Sequence, residues 1–278
     1  MTGNKAANLR AFFADPLNTV TRERIFFNRL SFDLKLAAAR AGYHLHLYEP
    51  DVDRDGFDIV AEDDENVVGW YQTKAVLASA GTACWDVGDD FLRPALAAVE
   101  HYQFDHVYAG RGGGVILIEI ADDTSEGDVT YRYTDFDILT AIADGLLRER
   151  PWLGRGKPAK PARENAAEIV AQLRREGRGE ATTLPKNVFV TVSRADDLLG
   201  VMGLHSELGY GMFALRNAYR SVRIDEHGAL APEDHSIQEA AAARYHLKLL
   251  CDVQPQQPGP KKVTLFDPFE WKRLPPAP

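Results

Sequence analysis

Between Thr21 and Tyr43 the apolar residues Phe26, Phe27, Leu30, Leu34, Ala37, Ala38 and Ala41 recur at intervals of three and four, which lays one stripe along a helix. Thr19 or Thr21 offers a cap at its start and Gly42 a stop at its end. The period then changes to two. "YHLHLYE" alternates, "GFDIVAE" is a short apolar run, "DDEN" is a turn, and "VVGWYQTKAVLA" is rich in β-branched and aromatic residues, so a helix followed by three short strands is predicted. "WDVGDDFLRPALAAVEHY" predicts a second helix interrupted at Pro94. "DHVYAG" and "GGVILIEIA" predict two more strands joined near "GRGGG", and "DVTYRYTDFDILTAIADGLL" a strand running into a helix.

Pro151, Pro158 and Pro161, interleaved with Gly and basic residues in "RPWLGRGKPAKPA", mark a shift in composition. The pattern divides the chain into residues 1–150, a basic linker over 151–162, and residues 163–278. The last part offers a helix from Arg163 to Arg175, a strand "NVFVTVSR", helical stretches at "ADDLLGVMGLHSEL" and "SIQEAAAARYHLKLL", and Pro-rich ends. The expectation is an α/β core, a mixed sheet flanked by helices, followed by a mostly helical C-terminal region.

Composition adds bounds. With 278 residues, 45% hydrophobic and 26% charged, the chain has the make-up of a soluble globular protein. No apolar run approaches the ~20 residues that cross a bilayer, and "MTGNKAANLRAFF" lacks an apolar leader segment, so a cytoplasmic location is expected. Cys84 and Cys251, without CxxC spacing, predict neither a disulfide framework nor a zinc knuckle. The net charge of −9 argues against a nonspecific nucleic-acid coat, but the sign is unevenly spread: Glu49 to Glu65 carries nine carboxylates against the single base Arg54, whereas Arg148 to Arg178 is rich in Arg and Lys. An acidic pocket beside a basic segment suits a metal-dependent enzyme acting on a polyanion. A solvated acidic loop and a solvated basic linker would have the same composition.

The acidic stretch "DVDRDGFDIVAE", Asp51 to Glu62, has two spellings. Acids at its first, third and fifth places, Gly at the sixth and Glu at the twelfth match a calcium loop. That loop needs a helix on each side and an apolar eighth residue. Here a strand-like segment and Pro50 precede it, Asp58 holds the eighth place, and a turn and a strand follow. In the other spelling Asp58 opens a short strand, and the next strand carries "YQTKA", in which Gln72 and Lys74, two apart, point to one face.

The order helix, strand, "D" strand, "QxK" strand, helix, strand over Thr21 to Ala121 resembles the PD-(D/E)XK nuclease superfamily in its QxK variant, that of Mrr-like restriction endonucleases and anti-phage nuclease domains. The resemblance implies a restriction-endonuclease-like core and a Mg²⁺- or Mn²⁺-dependent endonuclease acting on double-stranded DNA, in defence against foreign DNA. Asp58, an amide oxygen of Gln72 and the Thr73 carbonyl would be metal ligands, and Lys74 would orient or activate the water. Gln in place of the usual Glu removes one charge from the site. Glu23 is the candidate helix acid to supply another, with Asp33 the alternative. Arg174 and Arg175, in the basic segment, are the candidate contacts to the DNA backbone.

A purely structural account runs beside this one: Asp58 at a strand edge, Gln72 and Lys74 on a solvated strand face, and Glu23 as a helix N-terminal acid. His44 and His46 spell HxH but fit an exposed strand face, and "GRGGG" lacks the Lys and Ser/Thr of a phosphate loop and is read as a turn. The functional alternatives are an inactive nuclease-fold protein that binds nucleic acid or a regulatory partner subunit, and a calcium-binding module. A homodimer is also left open.

Overall fold

The computed structural model describes residues 2–50, 56–64, 68–96, 105–121, 128–143, 160–174, 181–192, 194–204, 222–224 and 230–232. The predicted linker, the helix "SIQEAAAARYHLKLL" and the Pro-rich ends lie outside them, apart from the linker's last residues.

The first helix, α1 (Thr2–Ala14), leads through a short 3₁₀ turn into α2 (Thr19–Ala41). The predicted stripe is its buried face: Phe26, Leu30, Leu34, Ala37 and Ala38. Each fully buried Leu or Phe contributes about 1.5–3 kcal/mol. The helix ends where predicted, because Gly42 adopts the left-handed φ of 87° that lets its N–H reach back to the carbonyls of Ala38 and Ala39.

Three antiparallel strands follow, β1 (Leu45–Tyr48), β2 (Ile59–Asp63) and β3 (Val68–Leu77). After β4 (Cys84–Gly88) and the single-turn α3 (Asp89–Leu92), the chain returns in β5 (Gly114–Ile120), which pairs with β3 in parallel. A parallel pair needs such a crossover. All seven residues of β5 are buried, as its continuous apolar run requires of a central strand. Then come β6 (Val129–Asp135), α4 (Phe136–Ala143), α5 (Ala162–Leu173), β7 (Ala181–Pro185), β8 (Val190–Val192) and α6 (Ala195–Met202). A further antiparallel pair is β9 (Val222–Ile224) with β10 (Leu230–Pro232).

The central sheet has six strands in the order β1-β2-β3-β5-β6-β8, mixed in direction and flanked by helices. Beyond residue 160 most described residues are helical, although β8 closes one edge of the sheet beside β6, and β7 pairs with β4.

The register sorts residues between two faces. Tyr71, Thr73 and Ala75 share one with Ile116, Ile118, Tyr131 and Tyr133. There α2 and α6 pack: the Tyr131 hydroxyl donates to Asp33 of α2, and the Tyr71 hydroxyl to the Met202 carbonyl of α6 at 3.3 Å. Trp70, Gln72, Lys74 and Val76 share the other face with Val115, Leu117, Glu119 and Arg132. The β4–α3 junction and the 3₁₀ turn Lys186–Val188 are bonded onto it through Gln72 and Glu119.

Two predicted elements are corrected. "WDVGDDFLRP" is strand then one turn of helix, because β4 finds a partner in β7 and Pro94 forces Arg93 into the extended region (φ −88°, ψ 143°). "DHVYAG" is a 3₁₀ turn, because the Asp105 carboxylate accepts the Val107 N–H at 3.0 Å and folds the backbone locally.

Candidate functional site

Asp58 stands at the point where β2 separates from β3. Gly56, at φ 72°, turns the chain two residues before it, and the antiparallel register begins at Ile59 opposite Tyr71. The Asp58 N–H donates to the Tyr71 carbonyl at 2.9 Å. Its carboxylate then stands in for the next backbone acceptor: Oδ2 takes the Thr73 N–H at 2.6 Å and the Thr73 Oγ1 hydroxyl at 2.9 Å. Two donors on one oxygen hold the side chain in a single orientation against the middle residue of Gln72-Thr73-Lys74. The structure brings Asp58 and Thr73 together.

Gln72 and Lys74 emerge on the Trp70 face, as their spacing of two predicts. The Gln72 Oε1 accepts the Gly88 N–H at 3.1 Å, which ties β3 to the start of α3. Lys74 is half-buried and makes no hydrogen bond or ion pair with any other described residue. It begins a cross-strand row, Lys74, Leu117, Arg132 and Thr191. Glu119, opposite Val76 on the same face, is occupied by Lys186 and Arg132. Burial alone would raise its carboxyl, but the Lys186 hydrogen bond and the Arg132 charge outweigh this and hold it below the usual carboxylate range.

The helix acids do not join this group by any bond. Glu23 is exposed on α2 and has no hydrogen-bond or ion-pair partner among the described residues. Its neighbour Arg24 pairs with Glu49 just past β1, so this turn of α2 lies at the Asp58 end of the sheet. Asp33 is held by Arg29 at 2.8 Å and by the Tyr131 hydroxyl, on the face opposite Gln72 and Lys74. Burial, and then the hydrogen bond to Asp33, push the Tyr131 hydroxyl far up from its ordinary value. Arg174 is exposed just past α5, and Arg175 lies outside the described residues. His44 and His46 are both exposed.

Among the described residues no group of three or more His, Cys, Asp and Glu side chains could hold a metal ion. Among the described residues Asp58 is the carboxylate bonded to Thr73. A lone carboxylate with backbone carbonyls is a donor set Mg²⁺ accepts, because that ion keeps several waters and completes its shell with substrate phosphate oxygens. The calcium spelling lacks its helices: the flanking elements are β1 and β2, and Glu62 sits in the ladder opposite His46 and Val68. Asp51 to Asp55 lie outside the described residues.

One neighbour escaped the sequence reading. Arg111, inside the "GRGGG" run, places its guanidinium 5.5 Å over the rings of both Phe57 and Trp70. Those rings meet edge to face at 4.9 Å. A lone Arg between glycines was the available signal. Comparison with protein-family models, with curated proteins and with solved structures returned no match.

Proposed function

We propose that the chain is a Mg²⁺-dependent DNA endonuclease with a restriction-endonuclease-like core of the QxK kind, serving in defence against foreign DNA. One observation carries the reading: the Asp58 carboxylate is bonded to Thr73 inside Gln72-Thr73-Lys74, beside a half-buried Lys74 that has no acid partner among the described residues. The half-buried Lys74 ammonium, on the same strand face as Gln72, can donate to an anionic substrate.

Asp58, with the Thr73 carbonyl and the Gln72 amide oxygen, would hold the ion, which when bound offsets phosphate charge and makes a water more acidic. Lys74 donates a hydrogen bond to the attacking water or to a phosphate oxygen and balances charge as it develops. The water oxygen bonds to phosphorus and releases its proton to solvent while the opposite phosphorus–oxygen ester bond breaks. The departing oxygen takes up a proton from solvent.

The test is supercoiled plasmid incubated with Mg²⁺ or Mn²⁺. Wild type is expected to nick it, and Asp58→Asn and Lys74→Ala to lose on the order of 10²–10⁴-fold in rate. Asn retains an acceptor for the Thr73 N–H, so Asp58→Asn should stay folded. Nicking by either variant at the wild-type rate refutes the assignment. A second reading, a nuclease-fold protein that binds DNA or a partner without cutting, is favoured by the engagement of Gln72 with Gly88. It predicts DNA binding with no cleavage in either metal.

A further inference from the structure

We propose that Arg111 binds a phosphate of the substrate backbone beside the Asp58–Lys74 site; this rests on the nuclease reading and adds to it the residue that seats the strand. The glycine run brings its loop hard against the backbone of neighbouring elements. A Cβ on Gly113 would lie 2.0 Å from the Trp70 carbonyl oxygen, and one on Gly110 would lie 2.3 Å from that of Asp90. Only glycine permits this approach, and it sets the Arg111 side chain over the Phe57 and Trp70 rings. Phe57 immediately precedes Asp58. Trp70 lies two positions before Gln72 and four before Lys74 on the same face, which spaces its Cα roughly 7 Å from that of Gln72. The guanidinium thus lies over Trp70 of β3 and over Phe57, the residue before Asp58.

Its ion pair fits this role. Arg111 Nε meets Asp90 Oδ2 at 3.2 Å, and both side chains are 31% exposed. A pair at that exposure contributes little to folding, so exchanging the carboxylate for a phosphate costs little. Arginine is suited to that exchange: its planar fork matches phosphate oxygens while its face remains on an aromatic ring. A chain of net charge −9 also needs a local cation where a polyanion approaches. Asp90 is then one of the groups that hold the guanidinium until DNA arrives.

The experiment measures binding of a short fluorescent DNA duplex by anisotropy in EDTA across a salt series. The protein is the full chain carrying Asp58→Asn, so that the DNA stays intact. Arg111→Ala is expected to weaken binding roughly 10–100-fold and to reduce the salt slope by about one. Arg111→Lys should keep the slope and lose part of the affinity. Asp90→Asn should tighten binding about two- to fivefold, since the competing carboxylate is gone. A merely structural tie between Arg111 and Asp90 would not move the two variants in opposite directions. Unchanged affinity and slope in Arg111→Ala, or weakening by Asp90→Asn, overturns the proposal while leaving the nuclease reading intact if wild type cuts plasmid. Absence of both binding and cutting by wild type removes both. Should Arg111→Ala fail to fold, Arg111→Lys and Asp90→Asn still decide the matter.

Discussion

Glu119 is the buried charge whose removal the structure lets us evaluate most closely. Only 5% exposed on β5, it takes hydrogen bonds from Lys186 and from Arg132, which also donates to Thr191 of β8. Glu119→Gln removes the charge and leaves two cations facing an amide. Breaking a buried pair by removing one partner costs about 3–5 kcal/mol. The Lys186 side chain is 36% exposed and can rehydrate, and Arg132 keeps Thr191, so the lower end, about 3 kcal/mol, is expected. With a urea m-value of about 2–3 kcal/mol/M that is a midpoint shift of roughly 1–1.5 M. The pH dependence fixes the sign. Because the folded carboxyl lies below its ordinary value of 4.5, its stabilisation is fully present above that value. It is lost as pH falls through the folded pKa. Urea unfolding followed by far-ultraviolet circular dichroism at pH 7, and at a series of pH values below 4.5, checks this. A deficit under about 0.5 kcal/mol at pH 7, or one that grows on acidification, would refute the reasoning.

Two further outcomes follow from the proposed nuclease. Gln72→Glu returns a carboxylate to the Asp58 group and still accepts the Gly88 N–H, so the Mg²⁺ concentration for half-maximal plasmid nicking should fall severalfold. Loss of activity at every metal concentration in a folded variant would instead mean that repulsion with Asp58 dominates. Reversing Arg174 and Arg175 to Glu should weaken duplex binding and lower the salt slope by about two, read from isotherms at several salt concentrations. Superimposable isotherms would take the end of α5 out of the DNA path.

How far the sequence reached follows from what periodicity records. A period of three and four marked the buried face of α2 and, with Gly42, its end, because one stripe must leave water wherever the helix docks. A period of two set Gln72 and Lys74 on one face and Tyr71 on the other, and the run "GGVILIEIA" marked β5 as a strand. These are local facts, legible without knowing the partner. The pairings are not. β4 is a strand because β7, about a hundred residues away, supplies its ladder, and β8 extends the sheet from beyond the linker. Strand formation is decided by the neighbour as much as by the residues themselves. The candidate site divides in the same way. The motif named Asp58, Gln72, Thr73 and Lys74, and their spacing gave the shared face. Tertiary structure alone put the Asp58 carboxylate on Thr73, turned Gln72 to Gly88, left Glu23 exposed and stacked Arg111 on Phe57 and Trp70. Periodicity states which side chains leave water, and only packing states what they meet.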